Sequence, residues 1–254
     1  MHTSSWDARQ LSLAGRVTLA QSVLLSIPSY FIQTMMIPKG LCDEIECIVR
    51  KFVWGSTNGN TKVALVNWDS VCQLKPHEGL GLRCLEDHNT SFMMKMGFKI
   101  ISNVNDLWVQ VIRSKYEIPS GLPENISRER CSFLWRSIAK VWPLVYENLL
   151  RSVGDSKSIQ CWRDPWILNC GPLLSYIPYS SNLNMDCRLS NMIAGDGSWN
   201  LELFRLWIPG EIINKIVGIP SSHPSLGLDK IVWGATSTGL FFIKSAYEKT
   251  RDGT

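Results

Sequence analysis

Residues 11–55 read LSLAGRVTLAQSVLLSIPSYFIQTMMIPKGLCDEIECIVRKFVWG, and the fold class turns on how this stretch is parsed. Leu13, Val17, Ala20, Leu24, Ile27 and Phe31 recur at steps of four and three, the spacing of one buried helical face. Pro28 interrupts that run. It has no N–H to donate and its ring crowds the carbonyl of Leu24, so a kink or restart is expected there. Pro38 opens a second helix with Leu41, Ile45, Ile48 and Phe52 as its stripe and Gly55 as its stop. The spacing therefore predicts a helical hairpin with one shared apolar seam.

Working outward, Trp6 and Arg9 lead into the first helix. Asn58-Gly59-Asn60 is a turn signal, and residues 62–66 alternate as a short strand would. Asn67 or Asp69 can cap a brief helix carrying Trp68, Val71 and Cys72. A helix follows over 85–101 with Phe92, Met93, Met96 and Ile100 inward, then one capped by Asp106 that carries Leu107, Trp108, Val111 and Ile112. Residues 117–131 hold Pro119, Gly121 and Pro123 and lack any period, so they are read as a linker between a helical domain, 1–116, and a second region, 132–254. In the second region Trp135, Ile138, Trp142, Val145 and Leu149 make a helical stripe despite Pro143. Residues 153–157 suggest a hairpin turn with a return strand over 159–162. Pro209 starts a helix, residues 230–234 and 239–243 suggest a β-hairpin, and a last helix begins near Lys244. The fold class expected is mainly α with small β-hairpins: a helical N-terminal part, then a mixed α and β-ribbon part.

The chain has 254 residues, 45% apolar and 19% charged, the profile of a folded globular protein with a substantial core. Eleven Trp, several at helical spacing with other apolar residues, are expected to anchor that core. The net charge of +4 is mild, and the basic excess lies mostly in residues 1–116. The eight Cys form no C-x-x-C pair. Cys42 and Cys47 stand about 140° apart around a helix, so they do not share a ligand. No metal and no cofactor is expected. Neither a secretory signal nor an uninterrupted apolar span is visible, so no membrane partner is expected and the thiols are read as reduced, in an intracellular protein. Nucleus and cytoplasm are not distinguished.

Several motifs together resemble plant LINE-type (non-LTR) retrotransposon reverse transcriptases. They are Leu11-Ser12-Leu13-Ala14-Gly15-Arg16, Ser26-Ile27-Pro28-Ser29-Tyr30, Ile37-Pro38-Lys39-Gly40 and Phe52-Val53-Trp54-Gly55. Val66-Asn67-Trp68-Asp69, Gly79-Leu80-Gly81-Leu82-Arg83, Phe133-Leu134-Trp135-Arg136 and Gly239-Leu240-Phe241-Phe242-Ile243-Lys244-Ser245-Ala246-Tyr247 continue the match in the family's order. The resemblance implies that residues 1–116 are thumb-like and that 132–254 connect toward a zinc-binding domain that would follow Tyr247. It also implies a palm preceding Met1 and an RNase H-like domain beyond Thr254.

The chemistry of such a polymerase needs paired carboxylates holding two metal ions, and this chain has no adjacent Asp-Asp. No catalytic residue is therefore carried over, and the chain is not expected to be an enzyme by itself. The four histidines, His2, His77, His88 and His223, lack the spacing of a catalytic or metal-binding set. Gly79-Leu80-Gly81 lacks the remainder of a phosphate loop. Nucleic-acid contact is the functional expectation. Arg9 and Arg16, seven apart, share a helical face, and Gly15 beside Arg16 permits close backbone approach. In the family that thumb helix lies along the RNA/DNA primer–template duplex, so Arg9, Gly15 and Arg16 are its candidate contacts, with Lys95 and Lys99 as a second basic edge and Arg113 and Lys115 close behind. The missing palm is the other expected partner. The alternative is an inert retroelement relic or a protein-interaction module. Trp135 beside Arg136 and Trp162 beside Arg163 could stack on bases; Trp135 belongs to an apolar stripe, which favours burial, and Trp162 is left open.

Overall fold

A computed structural model describes residues 11–55, 66–73, 79–119, 121–178, 183–221 and 227–251. Trp6, Arg9, the turn at 58–60, His2, His77, His223 and all but the last residue of the expected strand at 62–66 lie outside them. The chain is mainly α, with one two-stranded antiparallel ribbon among the described residues. No helix there is long and apolar enough to cross a membrane.

Ser12 caps α1 (Leu13–Leu19) by accepting from the Gly15 N–H at 3.2 Å. The interruption expected from Pro28 falls just upstream of it. Residues Ala20–Leu24 form a single π turn, closed by the Leu25 N–H on the Ala20 carbonyl, and α2 (Ser26–Ile32) restarts after it. Pro28 cannot donate to Leu24, and the Ser26 hydroxyl donates to the carbonyls of Ser22 and Val23 within that turn. Next comes α3 (Lys39–Trp54), which stops at Gly55 with φ +69°. Glycine suits that left-handed backbone, which residues with a Cβ rarely adopt, and the Arg16 guanidinium packs beside it.

The fold buries part of the seam expected of this hairpin: Ala20 is core, and Val17, Leu24, Ile45 and Phe52 pack against the same cluster. Cys42, Glu46, Val49 and Val53 form the inward face of α3, while Ile48 is 62% exposed and Ile27 and Phe31 of α2 are 61% and 53% exposed. Glu46 explains the rotation. Its buried carboxylate accepts from Trp68 Nε1 at 3.0 Å and from the Leu85 N–H at 2.7 Å. The helix is thereby turned toward α4 (Trp68–Val71) and the first turn of α5 (Leu85–Ser102), where a carboxylate also suits the helix dipole.

The long helix α5 is the central post. It packs against α2, α3, α6 (Leu107–Lys115), α7 (Phe133–Glu147) and α10 (Ile243–Arg251). Gly97 faces α7, where a Cβ would make ordinary contacts of 3.4–3.6 Å with Val145, Ile138 and Trp142. The α7 stripe is buried as its spacing predicts, with Trp135, Ile138, Trp142 and Val145 inward and Pro143 exposed, but the helix ends at Glu147, and Leu149, the last residue of the expected stripe, lies in a strand. Packing crosses the stretch read as a linker. Within 117–131, the carbonyls of Ile126 and Pro123 accept from Trp135 Nε1 and Trp142 Nε1, both at 3.0 Å, and Ile126 itself is core.

Two strand pairings differ from expectation. Strand β2 (Lys230–Trp233) does not form a hairpin with residues 239–243. It pairs antiparallel with β1 (Leu149–Ser152), Leu149 opposite Trp233 and Ser152 opposite Lys230. The chain after β2 makes a tight turn, Trp233 N–H to Gly239 carbonyl at 2.8 Å, and enters α10. Likewise the 153–158 turn does not return a strand beside β1. It closes on Asp229, whose carboxylate accepts from the N–H groups of Gly154, Ser156 and Ser158 at 2.8–2.9 Å. A separate Trp-rich cluster holds the remainder, with Trp162, Trp166 and Phe204 packed against α9 (Gly210–Val217) beyond α8 (Leu201–Arg205).

Candidate nucleic-acid interface

A cleft of about 760 Å³ lies between the entry to α3, the start of α5 and the outer side of α7. Its floor is set by Asn89. This buried carboxamide accepts from the Ile37 N–H at 2.7 Å and donates to the carbonyls of Ile32 and Met35 at 2.9 and 2.8 Å. It thus ties the end of α2 and the Ile37-Pro38-Lys39-Gly40 segment to α5. All of its near-side hydrogen-bonding capacity is used, which fixes that wall of the cleft.

Four cations line the cleft, Lys39, Arg128, Arg136 and Lys140, against the single carboxylate of Glu86. Lys39 and Glu86 pair at 3.2 Å on the rim. The hydrogen bond to Glu86, with the charges of Glu86 and Asp43, holds the Lys39 ammonium above its usual range. Arg128 is held in place by carbonyls, Nε on Tyr116 at 3.2 Å and Nη1 on Ser127 at 3.0 Å. Arg136 and Lys140 are exposed, one helical turn apart on α7, and neither joins an ion pair among the described residues. Phe133, also exposed, completes the row on the same helix. An apolar ring beside two cations one turn apart can contact both the phosphates and the base or sugar faces of a nucleic acid.

The residues singled out in the sequence are distributed differently. Arg9 lies outside the described residues. Gly15 lies in the first turn of α1, against Leu11 and Ser12. Arg16 is half-buried, its guanidinium against Gly55 at the C-terminal end of α3 and its Nε buried without a hydrogen-bond partner among the described residues. A cation at that end of α3 complements the helix dipole. Lys95 and Lys99 are half-buried and lie on the side of α5 away from Glu86 and Thr90, so they do not enter the cleft. Arg113 is used internally, donating to the carbonyls of Ile100 and Pro119, and burial pulls its ordinary pKa down. Trp135 and Trp162 are core residues. Arg136 and Lys140 were visible as an i, i+4 basic pair beside the Trp135 stripe. Lys39 and Arg128 carried no local signal, since only the tertiary fold brings them beside α7.

No protein-family model matches the chain. It is 30% identical over 262 residues to the Arabidopsis thaliana protein described as "Putative ribonuclease H protein At1g65750". That alignment covers 96% of this chain and 40% of the relative, so the chain spans well under half of the longer protein. A second relative, the "Uncharacterized mitochondrial protein AtMg00310" of Arabidopsis thaliana, is 31% identical over 150 residues, which is 59% of this chain and 97% of that protein. With nearly the whole of the second relative covered at that identity, this chain belongs to the family of the Arabidopsis mitochondrial protein AtMg00310.

Proposed function

We propose that the chain is a non-catalytic segment of a non-LTR retrotransposon reverse transcriptase, thumb and following connector, whose task is to hold an RNA/DNA primer–template duplex while other domains do the chemistry. The observation that carries this is the cleft in which Arg136 and Lys140 enter no ion pair among the described residues, with Lys39 and Arg128 behind them. The ordered series of family motifs and a longer relative named for ribonuclease H support it. Arg16 and Gly15 are retained as secondary contacts beside α1. The missing palm is the second expected partner, and no strand synthesis or RNA cleavage is expected of the chain alone.

The test is binding of the purified chain to a labelled RNA–DNA hybrid across a salt series. Affinity should fall steeply with salt, because each gripped phosphate releases a counterion. The double variant Arg136→Ala with Lys140→Ala should reduce the log–log salt slope by about 1.5 to 2, and Arg16→Ala by about one unit or less. A folded chain that binds with no salt dependence, or a double variant with an unchanged slope, would remove the cleft from this role. A second proposal, a protein-interaction module without a nucleic-acid role, is favoured by one observation only, the apolar groove left open along α2 and α3.

A further inference from the structure

The groove between α2 and α3 is about 480 Å³ and almost wholly apolar, walled by Ile27, Phe31 and Met35 on one side and Leu41, Ile45 and Ile48 on the other. Ile27, Phe31, Met35, Leu41 and Ile48 are each 43–62% exposed, and large apolar side chains exposed side by side mark a contact surface. Apolarity alone does not name the occupant. The charges beside it do. At about 100° per residue, Leu41, Glu44, Ile48 and Lys51 form one row along α3, pointing away from the buried Cys42, Glu46, Val49 and Val53. All four are exposed, and among the described residues Glu44 and Lys51 enter no ion pair.

Glu44 and Lys51 are opposite in sign and equally distant from the point between Cys47 and Ile48, about 5 Å along the axis each way. That is the charge pattern a two-fold axis demands. If two copies of α3 cross antiparallel there, Ile48 of each lies at the centre, and Glu44 of one copy faces Lys51 of the other, twice. An isologous contact needs a surface complementary to itself, and this row meets the requirement in both its apolar and its charged positions. We infer that the chain associates as a two-fold dimer through α3, with the apolar groove of each copy covered by the other. The basic cleft and the groove meet at Ile37 and Pro38, but Arg128, Arg136 and Lys140 border the cleft and not the groove.

Sedimentation velocity of the full chain over a wide concentration range tests it, with circular dichroism as a check of folding. The native chain should show a concentration-dependent dimer. Ile48→Asp should weaken it more than about tenfold. Glu44→Lys alone, or Lys51→Glu alone, places like charges together at both symmetric positions and should weaken the dimer about tenfold at low salt. The exchange of both, Glu44→Lys with Lys51→Glu, restores opposite charges and should recover native affinity. A chain that stays monomeric at every concentration overturns the inference, and leaves the groove to another domain or protein. A dimer indifferent to the single exchanges, or one not recovered by the double exchange, overturns it as well.

Discussion

His88 shows how a single buried group sets a pH limit. It lies 6% exposed on α5, with Phe92 tilted against its ring, and Nε2 is 2.9 Å from Arg83 Nη1. Arg83 is always charged, so it donates and the ring nitrogen accepts, which requires neutral His88. Burial first, and the Arg83 charge second, push its pKa down to about 4 from an ordinary 6.5. A depressed folded-state pKa means the unfolded chain binds the proton first. His88 therefore contributes stability that is complete above pH 6.5 and lost as pH falls toward 4. The slope in that window should be about 1.4 kcal/mol per pH unit for this group. Asp87, raised chiefly by burial, has the opposite sign, so it partly offsets the loss as it protonates. Urea unfolding of native protein and His88→Gln across this range checks the claim. The variant should show the shallower acid dependence, and parallel curves would refute it.

Among the elements, the ribbon and its turn depend on backbones meeting closely. Gly154 follows β1 and faces the chain entering β2, where a Cβ would stand 2.6 Å from the Gly227 carbonyl oxygen and the Leu228 carbonyl carbon. Both neighbours are main chain and cannot swing aside. Gly154→Ala should therefore destabilise by about 2 kcal/mol or more, read as a lower urea midpoint with an unchanged m-value. No loss would mean that the turn has room to relax. Residues 149–162 also show what sequence patterning reveals about elements and what it does not. The helical stripe of α7 is local, so Trp135, Ile138, Trp142 and Val145 identified its buried face correctly. The partner of β1 lies some eighty residues downstream, and nothing in the 153–157 turn signals that its N–H groups converge on Asp229. In α3 the apolar stripe matched the buried face only in part, because Glu46 looks like a solvent residue until Trp68 Nε1 and the Leu85 N–H are brought to it. The basic cleft was hidden for the same reason, its cations coming from three separated segments.

At the scale of the whole molecule, cooperativity follows from where α5 sits. A division at 117–131 would place α5 in one unit and both α7 and α10 in the other, yet α5 packs against both. One core cluster runs through Met93 and Met94 of α5, Trp135 and Trp142 of α7, Trp233 of β2 and Ala246 of α10. Tyr247 of α10 also reaches back, its hydroxyl accepting from the Cys84 N–H at 3.1 Å, and Arg251 approaches Asp87 at 3.5 Å. Cutting the chain after residue 116 would expose the α7-facing side of α5, including Gly97, together with its α10-facing side. A burial loss on that scale exceeds the few kcal/mol by which domains of this size are stable. Residues 1–116 expressed alone should therefore lack a cooperative thermal transition, whereas in the full chain fluorescence of the core tryptophans and helical circular dichroism should melt together. An isolated 1–116 that melts sharply, at the temperature at which α5 melts in the full chain, would instead make the N-terminal part a self-sufficient domain and the 117–131 stretch a true linker.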